Sequence, residues 1–151
     1  MEISLATIKN AREILALQKL AYQSEAEICQ DWCIPPLTQT IDEIEMEFTD
    51  HIFYKAVNAK KIIGSVRAIA HDNTCFIGRL IVHPELQGKG IGSKLMDTIE
   101  KHFSDLRRYE LFTGNKSIGN IRFYKRLGYT PFKEEKVNDY LSFIYFNKEN
   151  I

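Results

Sequence analysis

"RLIVHPELQGKGIGSKLM", residues 79–96, runs from an apolar stretch through three glycines at 88, 90 and 92 into a segment that reads as a helix. Glycine loses the most backbone freedom on folding and weakens helix and strand alike. A cluster at such a joint therefore marks a tight strand-to-helix turn, an approach that side chains would block, or both.

Outward from this joint the elements alternate. Ile91, Leu95, Ile99 and Phe103 recur every fourth residue, which predicts a helix burying one face. "CFIGRLIV" before the joint reads as a mostly buried strand ended by Pro84. "IFYKAV" and "IIGSVRAIA" precede it, joined by the hairpin-length "NAKK". After the helix come a strand "YELFT", a helix "SIGNIRFYKRLG" closed by Gly128, and a final antiparallel pair in "YTPFKEE" and "YLSFIYF". At the start, "EISLATI" alternates as a strand should, and "NARE" offers Asn10 and Glu13 as a capping box for a first helix. Pro35 and Pro36 in "CQDWCIPPLTQT" predict an extended loop, and "TIDEIEMEFTD" a short amphipathic helix. The order is βα(α)βββαβαββ: one α/β domain over 1–151, a mixed sheet with helices on its faces.

Composition narrows the function. Twenty basic and twenty acidic side chains cancel, and no tail gathers one sign, which argues against nucleic acid or anionic membrane as a partner. Three cysteines, at 29, 33 and 75, and the lack of a secretory pattern in "MEISLATIKN" lead to the expectation of reduced thiols and a cytoplasmic location. Cys29 and Cys33 lie four apart and the four histidines are scattered, so no metal is expected. No G-x-S-x-G elbow supports a serine hydrolase.

The glycine joint is neither of the common nucleotide loops. A Walker A loop needs a Gly-Lys-Ser/Thr that is missing here, and the dinucleotide fingerprint needs Gly or Ala where Ser93 stands. What fits is Q-x-x-G-x-G, carried by Gln87, Gly90 and Gly92 between a strand and a helix. N–H groups at a helix start favour an anion, and a diphosphate can supply one. Glycines at 88, 90 and 92 would let phosphate oxygens reach the amides, with Lys89 and Lys94 adding positive charge.

This pattern resembles the acyl-CoA loop of the GNAT superfamily of N-acetyltransferases. The likeness extends to "RFYKRLGY", similar to the family's closing motif, and to the element order over essentially the whole chain. It implies a mostly antiparallel mixed sheet in which two parallel strands splay apart, with acetyl-CoA as co-substrate. The diphosphate would sit on Gln87, Gly88, Lys89, Gly90, Ile91, Gly92 and Ser93, and the pantetheine arm on the main chain of Leu80, Ile81 and Val82. Where the family usually keeps an asparagine this chain has Ser117, with Asn120 nearby, and both are candidate cofactor contacts.

The chemistry so implied is direct attack of a primary amine on a thioester in a ternary complex. Tyr124, itself a candidate cofactor contact, occupies the position of the acid that protonates the departing thiolate; a phenol, with a reference pKa of about 10, suits a thiol. Glu110 resembles carboxylates that take the amine proton, and strand alternation sets it on the face of Phe112. Glu25, Glu27 and Asp31, with Trp32, are candidates to hold a cationic acceptor, a small molecule or peptide. A homodimer through edge strands is compatible with the fold. The alternative is a non-catalytic module that keeps acyl-CoA as a sensed ligand.

Overall fold

The computed structural model describes residues 1–150. Seven strands form one sheet in the order β1-β2-β3-β4-β5-β7-β6, with every neighbouring pair antiparallel except β4–β5. They are β1 (Glu2–Leu5), β2 (Ile52–Asn58), β3 (Lys61–His71), β4 (Thr74–Val82), β5 (Arg108–Gly114), β6 (Thr130–Lys136) and β7 (Ser142–Glu149). The helices are α1 (Ala11–Ala21), α2 (Gln23–Cys29), α3 (Pro35–Thr38), α4 (Ile41–Glu47), α5 (Ile91–His102) and α6 (Ile118–Arg126). The mixed, mostly antiparallel α/β architecture expected from the sequence is what the chain adopts.

Strand alternation divides the core between the two faces of the sheet. Ile63 on β3 joins Leu95, Met96 and Ile99 of α5, while its neighbour Ile62 packs with Ile14 and Leu17 of α1 and Ile44 of α4. The fourfold spacing in α5 therefore does bury one stripe. The β2–β3 hairpin closes in two residues, Ala59 and Lys60, at φ of 50° and 66°. Both central positions left-handed is the geometry that matches strand twist.

Two local expectations are corrected. Asn10 does not cap α1 with Glu13; a 3-10 turn at Ile8–Asn10 comes first, and Asn10 Oδ1 accepts the N–H of Thr7 at 2.9 Å. Glu13 instead accepts the N–H of Ile62 at 2.8 Å. Pro35 and Pro36 do not force an extended loop. They occupy the first turn of α3, where a missing N–H removes no helical bond. The buried amide of Gln18 fixes this segment to α1 by donating to Pro36 O at 3.0 Å and Gln39 Oε1 at 2.8 Å.

Behind α5, Glu100 gathers a polar cluster: its carboxylate accepts from Tyr129 at 2.9 Å and Lys148 at 2.8 Å, and its carbonyl accepts from Tyr109 at 2.9 Å. Burial, with Glu100 adding to it, pushes the Cys75 thiol up to about 12 and raises the phenols of Tyr109 and Tyr129. The folded chain holds these protons more tightly than the unfolded chain. Their contribution is therefore complete below the unfolded values, about 8.5 for Cys and about 10 for Tyr, and is lost as pH rises toward the folded ones. Urea unfolding from pH 8 to 11 should show stability falling by about 1.4 kcal/mol per pH unit for each such group titrating in the unfolded state. Cys75→Ala should flatten the part that begins near pH 9. A profile level to pH 11 contradicts the assignment.

Candidate active site

The sheet consists of two halves held together by little backbone. β4 and β5 pair only at Thr74, Cys75 and Phe76 with Arg108, Tyr109 and Glu110. Beyond that point β4 runs on to Val82 and β5 to Gly114 without pairing to each other. The cause lies in β4. Ser65 faces Ile81 but Arg67 faces Gly78, so β4 spends one more residue than β3 over that interval. The extra residue is accommodated by a bulge with Arg79 at φ 50°, and such a bulge bends its strand. The split therefore leaves main-chain groups of Leu80–Val82 facing a gap.

The glycine joint stands at the end of β4. Pro84–Leu86 form a 3-10 turn, and α5 begins after Gly90 with no side chain capping its first N–H groups. Gly88 and Gly90 have φ of 77° and 83°, and a Cβ on either would meet nothing within 4 Å. Left-handed backbone and open space in front of it are what set these two positions. Gly92 differs: a Cβ there would sit 3.4 Å from Phe123 Cζ, so its smallness serves the packing of α5 on α6.

Between the halves lies a cleft of about 520 Å³, floored by β4 and β5 and walled by α2, the turn into α3, and α6. Its polar centre is Glu25 of α2. Ser117 donates to Glu25 Oε2 at 2.5 Å, and Asn120 Nδ2 donates to Glu25 Oε1 at 3.4 Å and to Thr113 Oγ1 at 3.3 Å. Tyr124 and Tyr22 also line the cleft. Burial raises both phenols; for Tyr22 the nearby Arg79 opposes the rise. The arrangement combines a free helix N-terminus, an open strand edge, one carboxylate and two protonated phenols.

Residues 12–129 match the sequence profile of the family described as acetyltransferase (GNAT) family. The chain belongs to the GNAT family. Its GNAT-matched span takes in β4, the glycine joint, Glu25 and Tyr124, and stops before β6 and β7. The Bacillus subtilis (strain 168) protein YqkA is 31% identical over 119 residues, 79% of this chain and 34% of that protein. The chain spans 34% and 54% of the lengths of the two curated relatives it matches. Among solved structures, smu.2055 from Streptococcus mutans UA159 superposes with a TM-score of 0.86 over the whole of both chains at 17% identity. The PaiA N-acetyltransferase from Thermoplasma acidophilum, in complex with coenzyme A, gives 0.77 over 99% of each at 19%. At such identities these likenesses speak to the GNAT fold alone.

Of the residues singled out in sequence, the structure gathers Leu80, Ile81, Val82, Gln87, Glu25, Ser117, Asn120 and Tyr124 on the cleft. Gly88, Lys89, Gly90, Ile91, Gly92 and Ser93 continue from Gln87 into the start of α5. Others fall elsewhere. Glu110 is outside the lining and accepts from Arg108 Nη2 at 2.9 Å. Glu27 and Trp32 are exposed and off the cleft; Asp31 is off it too, its Oδ1 accepting the N–H of Cys33 at 2.8 Å. Arg79 and Arg67 line the cleft although the sequence reading passed over them. The available signal was a lone charge in an otherwise apolar run, Arg67 in "IIGSVRAIA" and Arg79 in "CFIGRLIV". Among the described residues no three His, Cys, Asp or Glu side chains could hold a metal ion, and no helix is long and apolar enough to cross a membrane.

Proposed function

We propose that this chain is an acetyl-CoA-dependent N-acetyltransferase that passes the acetyl group directly to a primary amine. The observation that carries the reading is the uncapped start of α5 set directly beyond a split strand edge that opens on Glu25 and Tyr124. The described coenzyme A complex of the PaiA fold relative supports the same co-substrate. The fit is physical. First-turn amides of Ile91, Gly92 and Ser93, behind the left-handed Gly88 and Gly90, suit a diphosphate, and Gln87 and Lys89 flank it. Main-chain groups of Leu80, Ile81 and Val82 suit an arm with two amides, paired as an added strand would be.

In the reaction an ammonium first gives up a proton. Glu25 is the group assigned to hold the amine and take that proton, in place of Glu110, whose carboxylate is engaged by Arg108 outside the cleft. Ser117 and Asn120 then serve chiefly to aim Glu25. The amine lone pair attacks the thioester carbon, the C–N bond forms, and a backbone N–H near Val82 donates to the oxyanion. The C–S bond breaks, its electrons leave on sulfur, and Tyr124 supplies the sulfur's proton, to be replaced by the second proton lost from nitrogen. The balance is an ammonium and acetyl-CoA giving an acetamide, CoA thiol and one proton.

The test is thiol release from acetyl-CoA across a panel of amines, with mass detection of the acetylated product. Binding of acetyl-CoA without release to any acceptor supports the sensing module instead. If Glu25 holds the amine and takes its proton, Glu25→Gln should raise the acceptor KM about tenfold, lower kcat about 100-fold, and leave the KM of acetyl-CoA within about twofold. An equal rise in both KM values means that Glu25 only supports α6.

A further inference from the structure

The charged side chains lining the cleft are Glu25, Arg67 and Arg79. Arg67 is ion-paired with Glu47 of α4. Arg79 has no carboxylate partner among the described residues. The Nε atoms of both arginines are buried and make no hydrogen bond. A buried guanidinium donor without an acceptor is costly, and an anion that takes two parallel N–H bonds is the natural complement of its fork.

Position sharpens this. Arg79 sits on the bulge of β4 in left-handed backbone, a conformation that is strained for a non-glycine residue and that gathers at functional sites. From there its Cζ lies 5.9 Å from the centroid of the Tyr22 ring. Tyr22 and Glu25 are three residues apart at the start of α2, the spacing of neighbours on one helix face. Arg79 and Glu25 both act on the Tyr22 phenol, one lowering and the other raising it. With Arg67 and Glu47 cancelling, the acceptor end presents one free positive and one free negative charge beside the same ring.

We propose that the acceptor is a small amino acid, its ammonium held at Glu25 and its carboxylate at Arg79. A polyamine would bring only positive charge to Arg79, and an uncharged amine would leave that donor unpaired. The inference rests on the acetyl-transfer reading, and its test separates the two.

Wild-type protein is assayed by thiol release from acetyl-CoA with the standard amino acids, their carboxamides, which stand in for a peptide N-terminus, their decarboxylated amines, and spermidine. At least one amino acid should exceed its carboxamide and its decarboxylated amine by about 30-fold in kcat/KM, the scale of a charged hydrogen-bonded pair. Arg79→Met should raise the KM for that amino acid about 30-fold, keep the KM for its carboxamide within about twofold, and still bind acetyl-CoA by calorimetry. Should the variant not fold, the wild-type series decides alone. Carboxamides, amines or spermidine used as well as every amino acid overturn the zwitterion and leave acetyl transfer standing. Acetyl-CoA binding without thiol release to any acceptor overturns acetyl transfer, and the inference with it.

Discussion

Gly90→Val should weaken acetyl-CoA binding about 100-fold while costing the fold only about 1–2 kcal/mol. Two separate consequences of the same substitution make this informative. Gly90 has φ 83°, so any side chain there is strained, a β-branched one most of all. That strain is a stability term, visible in urea unfolding. A Cβ at Gly90 meets no protein atom within 4 Å, so packing adds nothing further. The two methyls would stand in the space before the first amides of α5, where the diphosphate is proposed to lie. Gly90→Ala carries a smaller backbone penalty and less bulk, so its affinity loss should be clearly smaller. Calorimetric titration with acetyl-CoA that gives wild-type affinity for both variants removes the loop from the site. Gly92 is a poorer probe, because Phe123 Cζ at 3.4 Å would convert the change into a packing defect between α5 and α6.

That loop was legible in sequence because its signals are local: a proline, glycines and a helical repeat all lie between Pro84 and Phe103. Most of the cleft wall was not. Ser117 meets Glu25 across 92 residues of chain, and only the split of β4 from β5 brings them together. The split itself depends on a bulge defined by pairing with β3, which no property of "GRLIV" alone reveals. Glu110 shows the limit of strand alternation. It shares parity with Phe112, yet Phe112 lines the cleft and Glu110 does not. Glu110 is the last β5 residue still paired with β4, opposite Phe76, so the strands are closed at that level and open only beyond it. Parity gives a face of the sheet; it does not give the level at which the sheet parts. Pro35 and Pro36 teach a related lesson, since proline excludes a helix interior but fits a first turn.

Tyr124→Phe should lower kcat by about 100-fold or more, the scale of general acid catalysis, with the KM for acetyl-CoA within about twofold. Phenylalanine retains the ring, which packs edge-on against Phe123 at a centroid distance of 5.2 Å and Tyr129 at 6.1 Å and tilted against Phe146 at 6.2 Å, so stability should hardly change. Only the hydroxyl is lost. Burial raises the Tyr124 phenol above its ordinary value, with Tyr22 and Glu25 adding to the rise. A higher phenol pKa would by itself make proton transfer to a thiolate harder. The same desolvation also raises the pKa of a thiolate forming beside it, so the pair stays matched. The sign for pH follows: the donor is present while the phenol is protonated and is lost as pH rises through its elevated value. Wild-type kcat should therefore show no alkaline decline from Tyr124 up to about pH 10, the ordinary phenol value. The Phe variant must draw the proton from water, and its deficit should grow for thioesters whose thiol is the poorer leaving group. If Tyr124 merely packs on the sheet, the variant keeps wild-type kcat at every pH and with every thioester, and the proton must come from another group in the cleft.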